Sequence, residues 1–197
     1  TVRVKGLACF WKTANPPTDA ISGAIITFNP DGSANLNTGA VEMGSGCHTH
    51  LNQILAERLQ IDPDQVHMVT APDTQVAPEH WKTVASLTVH MAGQAVLAAA
   101  DDALSQLRVN ASLALGCPES EIEIAAGRAF SKKNPENFIP FKDIVQGYKS
   151  PAGQSLGQPV IGRGSLMLKG LSLLEPQSGR GRTGPDWSLG AQVVEVE

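Results

Sequence analysis

The sequence predicts an α+β fold: a mixed β-sheet layer packed against helices, with one long buried helix at about residues 83–107. Three observations lead there. β-prone runs open and close the chain. Two internal stretches carry apolar residues at helical spacing. Strands and helices mix without the strict alternation of a parallel sheet.

Residues 2–12, "VRVKGLACFWK", form the first β-prone run, and "TANPPTDA" after it is loop chemistry. Residues 20–28, "AISGAIITF", are followed by the turn signal "NPDGS" and by the partly alternating "ANLNTGAVEM", which together predict a hairpin. Beyond Gly44-Ser45-Gly46, the residues Leu51, Ile54, Leu55 and Leu59 recur at helical spacing, with Asn52, Glu57 and Arg58 between them. That is an amphipathic helix, broken by "IDPDQ". Residues 66–70 suggest a short strand, and residues 71–82 a loop with two prolines.

Residues 83–107 contain no proline and are rich in alanine. Their first half is apolar on nearly every side, which predicts burial, and Ala92, Gly93 and Ala95 allow close backbone approach. "ASLALG" extends the helical region. "CPESEIEIAAGRAF" suggests a loop and then a hairpin turning at Ala126-Gly127. Residues 140–149 are a short helix candidate and residues 158–168 are strand-like. Residues 176–187 read as a flexible loop and residues 188–197 as a terminal strand. No internal repeat is visible. A single domain over residues 1–197 is expected, with a soft boundary near 116.

Composition narrows the function classes. The chain is 42% hydrophobic and 17% charged, with net charge -4 and a pI near 5.7. No basic patch stands out, so nucleic acid is not an expected partner. No apolar run is long enough for a membrane-spanning helix. Cys9, Cys47 and Cys117 are odd in number and widely spaced, with no C-x-x-C pair, which fits a reducing cytoplasm better than a disulfide framework. The first residue is Thr1, as expected of an excised piece or a processed product.

Gly44-Ser45-Gly46 joins a strand-like run to a helix. Free backbone N–H groups and the helix dipole would favour an anion there, while a plain β-to-α turn needs the same glycines and no ligand. Cys47, His48 and His50 invite a metal reading. However, near neighbours on a helix point in different directions, and no second Cys/His cluster follows, so no metal ligand is assigned. Thr83 reads as a helix N-cap, Ser86 as a residue bonding its own helix, or both as part of a second helix N-terminus facing a polar ligand. His67, His80 and His90 give no triad spacing. No catalytic residue is assigned.

In their order, "GLACFWKT", "FNPDGSANLNTGAVEMGSG", "HTHLNQILAERLQIDPDQVHMV", "DTQVAPEHWKTVAS", "GQAVLAAADDAL" and "GAQVVEVE" resemble the molybdenum hydroxylases. These are the molybdopterin-binding large subunits of xanthine dehydrogenases and aldehyde oxidoreductases, and the resemblance spans nearly the whole chain. It implies that Gly44, Ser45 and Gly46 form a cofactor-contacting loop, with Ser45 standing where the family usually has glutamine. It implies that Ala85 lies beside the metal centre, with Thr83, Ser86 and Thr88 near the pterin or its phosphate. Gly190, Ala191 and Gln192 would form a further cofactor-lining turn.

The same resemblance implies an internal lobe of a larger subunit, since the family's upstream glycine-rich motif and downstream catalytic glutamate are not visible here. Iron–sulfur clusters and FAD would sit on other domains or subunits. The reaction would be hydroxylation of an aldehyde or N-heterocycle with water as oxygen source, and the isolated fragment would be inert. Two other classes stay open: a stand-alone small-anion or nucleotide-binding module, and a structural domain that has lost its cofactor. On the cofactor-lobe reading, the helix starts near Thr49 and Thr83 and the Gly190-Ala191-Gln192 turn should share one pocket of positive potential.

Overall fold

The computed structural model describes residues 2–71 and 73–197; Pro72, in the expected loop at 71–82, lies outside them. The strands in chain order are β1 (Val4–Thr13), β2 (Ile21–Phe28) and β3 (Ala34–Thr38). Helix α1 (Cys47–Leu59) and strand β4 (Val66–Met68) follow, then the long helix α2 (Thr88–Leu115). The remainder is β5 (Ile122–Ala125), β6 (Arg128–Ser131), β7 (Asn134–Pro140), β8 (Gln146–Lys149), β9 (Ser155–Pro159), β10 (Ile161–Met167) and β11 (Trp187–Val196). This is the α+β class that the sequence predicts.

The central layer is a four-stranded sheet in the order β10-β2-β3-β4. β2 and β3 form the expected antiparallel hairpin, and β4 pairs parallel to β3. Alternation decides which face is buried: Ala24, Ile26 and Phe28 of β2 and Ala34, Leu36 and Thr38 of β3 point inward. Both helices cover that face. Leu51, Leu55 and Leu59 of α1 join Ala92, Val96, Ala99, Ala103 and Leu107 of α2 in one core with the sheet. An ion pair from Arg58 to Asp101 ties the two helices together at the surface.

β10 meets α2 through glycine. Gly162 and Gly164 pair with Ile26 and Ala24, so they share the inward face. With no side chain there, the backbone of α2 lies directly on the strand. The alanines on that side of α2 are the counterpart of these glycines, which explains why a helix so rich in small residues is so well buried.

A three-stranded sheet, β5-β6-β7, closes over the far end of α2. Its first hairpin turns at Ala126 (φ 52) and Gly127 (φ 68), as the sequence suggests. Two positive φ values in succession suit the tight turn of a two-residue hairpin. Asn110, buried on α2, donates to the carbonyls of Ile144 and Gln158 and accepts from the Gln158 N–H, which joins the helix to the β8–β9 hairpin.

Two expectations need correction, and two strands were not expected. The long helix runs over Thr88–Leu115, five residues later at its start than 83–107 and longer at its end. Ala85 and Ser86 both have φ 59, so the helix cannot form through them. It ends where Gly116 takes the left-handed conformation (φ 66). Residues 140–149 are not a helix: a single 3-10 turn at Phe141–Asp143 gives way to β8, because Gly147 (φ 86) leaves the helical region. Finally, β7 and β9 are strands that no local pattern announces.

β1 and β11 stand apart as a two-stranded antiparallel ribbon. Among the described residues, no helix is long and apolar enough to cross a membrane.

Candidate functional site

The glycine loop is a strand-to-helix junction, as expected, but its anion is internal. Gly44 (φ 98) and Gly46 (φ 74) occupy the left-handed region, which turns the amides of the loop toward one point. The Glu42 side chain fills that point. Its Oε1 accepts from the N–H groups of Gly44 at 2.7 Å and Gly46 at 2.9 Å, and its Oε2 accepts from the His48 N–H at 3.2 Å. The Ser45 hydroxyl donates more weakly to Oε1 at 3.4 Å. Partial removal from water opposes the charge on Glu42. The amides of Gly46, His48 and Gly44, with the Cys47 thiol, outweigh it and bring the carboxyl down to about 2.

A carboxyl lowered on folding stabilises the fold above its unfolded value of 4.5, and that stabilisation is lost as pH falls through about 2. Glu42→Gln should therefore destabilise the protein by a constant amount above that window. The gap to wild type should close within it. Urea midpoints measured across the window check this; a gap independent of pH would show that the charge of Glu42 is not what holds the loop.

The segment before α2 is tied to this loop. The Val41 N–H donates to the Thr83 hydroxyl at 3.0 Å, so the lead-in to α1 and the lead-in to α2 lie side by side. Thr83 is not a helix cap; the N-cap position is Leu87, with no side-chain cap. Between them, the Leu87 N–H reaches the Val84 carbonyl at 3.1 Å across Ala85 and Ser86. With both central residues at φ 59, this is a left-handed β-turn of the kind that usually takes Asn-Gly. Ala85 is half-buried against a small apolar cluster that includes Leu87, Met91 and Leu168. Ser86 is exposed at the turn, and Thr88 is buried in the first turn of the helix.

Gly190, Ala191 and Gln192 are not a turn. They lie inside β11, opposite Phe10, Cys9 and Ala8 of β1. A Cβ at Gly190 would fall 2.2 Å from the exposed Phe10 ring, which lies across it and would have to swing aside. The ribbon is apolar on both faces and open to solvent, with Trp11 74%, Phe10 62% and Leu189 78% exposed. A two-stranded ribbon of this kind has no core of its own.

Cys47, His48 and His80 have structural partners. Cys47 is buried, its thiol 3.6 Å from the Val41 carbonyl, and burial pushes its pKa up. His48 donates from Nε2 to the Ala40 carbonyl at 2.8 Å. His80 shares a hydrogen bond with Ser22 at 2.9 Å, and burial lowers its pKa. Among the described residues, no three His, Cys, Asp or Glu side chains gather as a metal site. A cleft of about 770 Å³ runs between Glu42, His48, Val69, Asp73, Ala77 and His80. Gly46, Ser86 and Gln192 do not line it. Val41, just before the glycine loop, and Thr83 come together, while residues 190–192 belong to the ribbon. Glu42 is the residue that sequence reasoning misses, and its signal is an acid two positions before the first glycine.

The whole chain, residues 1–197, matches the family described as molybdopterin cofactor-binding domain. A nicotinate dehydrogenase subunit from Pseudomonas putida is 36% identical over 122 residues, which is 62% of this chain and 10% of that protein. The putative xanthine dehydrogenase molybdenum-binding subunit of Escherichia coli is 29% identical over 143 residues, 71% of this chain and 19% of that protein. In fold, the chain resembles the CO dehydrogenase of Oligotropha carboxidovorans with a TM-score of 0.72 at 22% identity, over 98% of this chain and 23% of that one. The chain thus spans a quarter or less of each of these relatives.

Proposed function

The chain belongs to the molybdopterin cofactor-binding domain family, and from that premise we propose that it forms one wall of the cofactor site in a larger hydroxylase subunit. The proposed activity of that subunit is oxidation of an aldehyde or an N-heterocycle, with water supplying the oxygen. The cytoplasm is its proposed location. The observation that carries this reading is the bond from Val41 to Thr83, which ties the lead-in of the glycine loop to the lead-in of the strained Ala85-Ser86 turn. Backbone strain in non-glycine residues concentrates where a fold serves a ligand.

The residues fit a pterin as a partial wall. Ser45 and Ser86 are exposed hydroxyls on the two adjoining turns, and each can donate and accept. In this reading Gly44, Ser45, Gly46, Ser86 and Thr83 face the cofactor, while Ala85 and the buried Thr88 hold the second turn in place. Gly190, Ala191 and Gln192 complete the set only if another lobe closes on the ribbon, whose exposed apolar faces suit such a partner. When bound, the cofactor supplies the redox metal; the chain supplies position and hydrogen bonds. Iron–sulfur clusters and FAD are proposed to lie on other domains or subunits. A stand-alone phosphate-binding module would need the loop amides free, and Glu42 holds them.

The test is elemental and pterin analysis of the purified full-length protein, with dye-linked oxidation of aldehydes and purines. Stoichiometric molybdenum and pterin are expected there, and neither metal nor turnover in the 197-residue chain alone. A full-length protein without pterin would overturn the reading. Ser45→Gln should keep or raise cofactor content, because glutamine adds an amide that can both donate and accept. A marked loss in that variant would show that the loop geometry has diverged from the family's.

A further inference from the structure

We propose that Glu42 closes the glycine loop of the cofactor wall: its carboxylate occupies the loop from inside and shuts phosphate out of those amides. The proposal deepens the cofactor reading and rests on it for the identity of the ligand.

The geometry is specific. One side chain accepts from the amides of residues 44, 46 and 48, at 2.7, 2.9 and 3.2 Å. These are the groups that a bound phosphate would use at a helix N-terminus. The helix has no other side-chain cap, since Gly46 at the N-cap position has none to offer. Glu42 thus does from four residues upstream what a serine or aspartate does at an N-cap. With the carboxylate in place, a second anion at the same amides would meet both occupied donors and a like charge. The hydroxyl of the exposed residue Ser45 also donates to this carboxylate, in the longest bond of the four at 3.4 Å. A loop closed this way suits the neutral, hydrogen-bonding part of a ligand and leaves its phosphate to other walls.

Amide hydrogen exchange in the full-length protein, followed by mass spectrometry over residues 41–50, tests this with inorganic phosphate as the probe. In Glu42→Ala the amides of residues 44, 46 and 48 should exchange at least about tenfold faster than in wild type, on the scale of a lost charge-assisted hydrogen bond. Phosphate should restore their protection in the variant and leave wild type unchanged. Glu42→Gln keeps the shape without the charge. It should show a smaller acceleration and partial rescue by phosphate, and it carries the test if the alanine variant fails to fold. A merely structural carboxylate predicts faster exchange without rescue by an anion. Exchange unchanged in both variants, acceleration that phosphate does not reverse, or protection of wild type by phosphate would each overturn the proposal. Cofactor content of the wild-type protein, measured separately, decides the broader reading. If the pterin is absent while phosphate rescue is seen, the cofactor wall falls and the closure of the loop by Glu42 stands.

Discussion

Gly164→Val is expected to cost at least about 3 kcal/mol, the upper part of the range for overpacking a close contact. A Cβ at position 164 would lie 2.2 Å from the Ala95 carbonyl oxygen, 2.3 Å from the Ala99 nitrogen and 2.9 Å from the Ala98 carbonyl carbon. All three are backbone atoms of α2, so no rotamer change relieves the clash. The helix must move off β10 or the strand must leave the sheet. Either movement opens the core that Val96, Ala99 and Ala103 share with Ile26 and Leu36. For a domain of this size, that loss corresponds to a fall in melting temperature of about 6–12 °C. Gly6→Ala is the control, since nothing lies within 4 Å of a Cβ there. Thermal melts of the two variants in the full-length protein decide it. If Gly164→Val melts with wild type, glycine does not set the spacing between helix and sheet.

That contact also shows what the sequence makes legible and what it hides. The alternation in β2 and β3 and the leucines of α1 are local patterns, and the structure follows them. The small residues of α2 announce close approach, but nothing local says that the approaching backbone is β10, some sixty residues later in the chain. Helical periodicity runs unbroken through Ala85 and Ser86, which puts the expected start of α2 too early. Their left-handed angles are imposed by packing around Leu87 and by the bond from Val41 to Thr83, neither of which has a local signal. Residues 140–149 show the reverse. Phe141, Ile144, Val145 and Tyr148 fall at helical spacing, yet Gly147 and pairing with β9 turn the segment into a strand.

The candidate site was legible as a set of turns and not as electrostatics. Two glycines beside a helix start suggest a place for an anion, and the fold does put an anion there. It comes from the chain itself, because Glu42 lies close enough in sequence to fold back onto the loop. The ribbon was legible as two strands but not as a surface. Leu7, Trp11, Val193 and Leu189 on one face and Val4, Phe10, Val194 and Val196 on the other read like core, yet they are exposed here. Exposed apolar residues on both faces of a ribbon mark it as an interaction surface.

Ala85→Val in the full-length protein should lower molybdopterin content at least about tenfold, while Ala85→Gly should keep it. A left-handed residue with a Cβ costs about 1–2 kcal/mol, and Ala85 and Ser86 carry that cost in succession. Glycine removes the penalty at position 85, so Ala85→Gly should leave stability equal or slightly higher. A β-branched residue is a genuine outlier in this region. Valine would drive the turn into another conformation, and the bond between Val84 and Leu87 that closes it would break. Ser86 would then swing away from the loop that Thr83 holds beside Val41. The effect should fall on the ligand before the fold, because Leu87 and Met91 still anchor the first turn of α2 in their own cluster. Circular dichroism separates the two outcomes: a valine variant with native helix content and little cofactor is the expected result. A valine variant that is folded and fully loaded would show that the strained turn serves packing alone. Ser86 would then have no place in the cofactor wall, since its position relative to the loop depends on that turn.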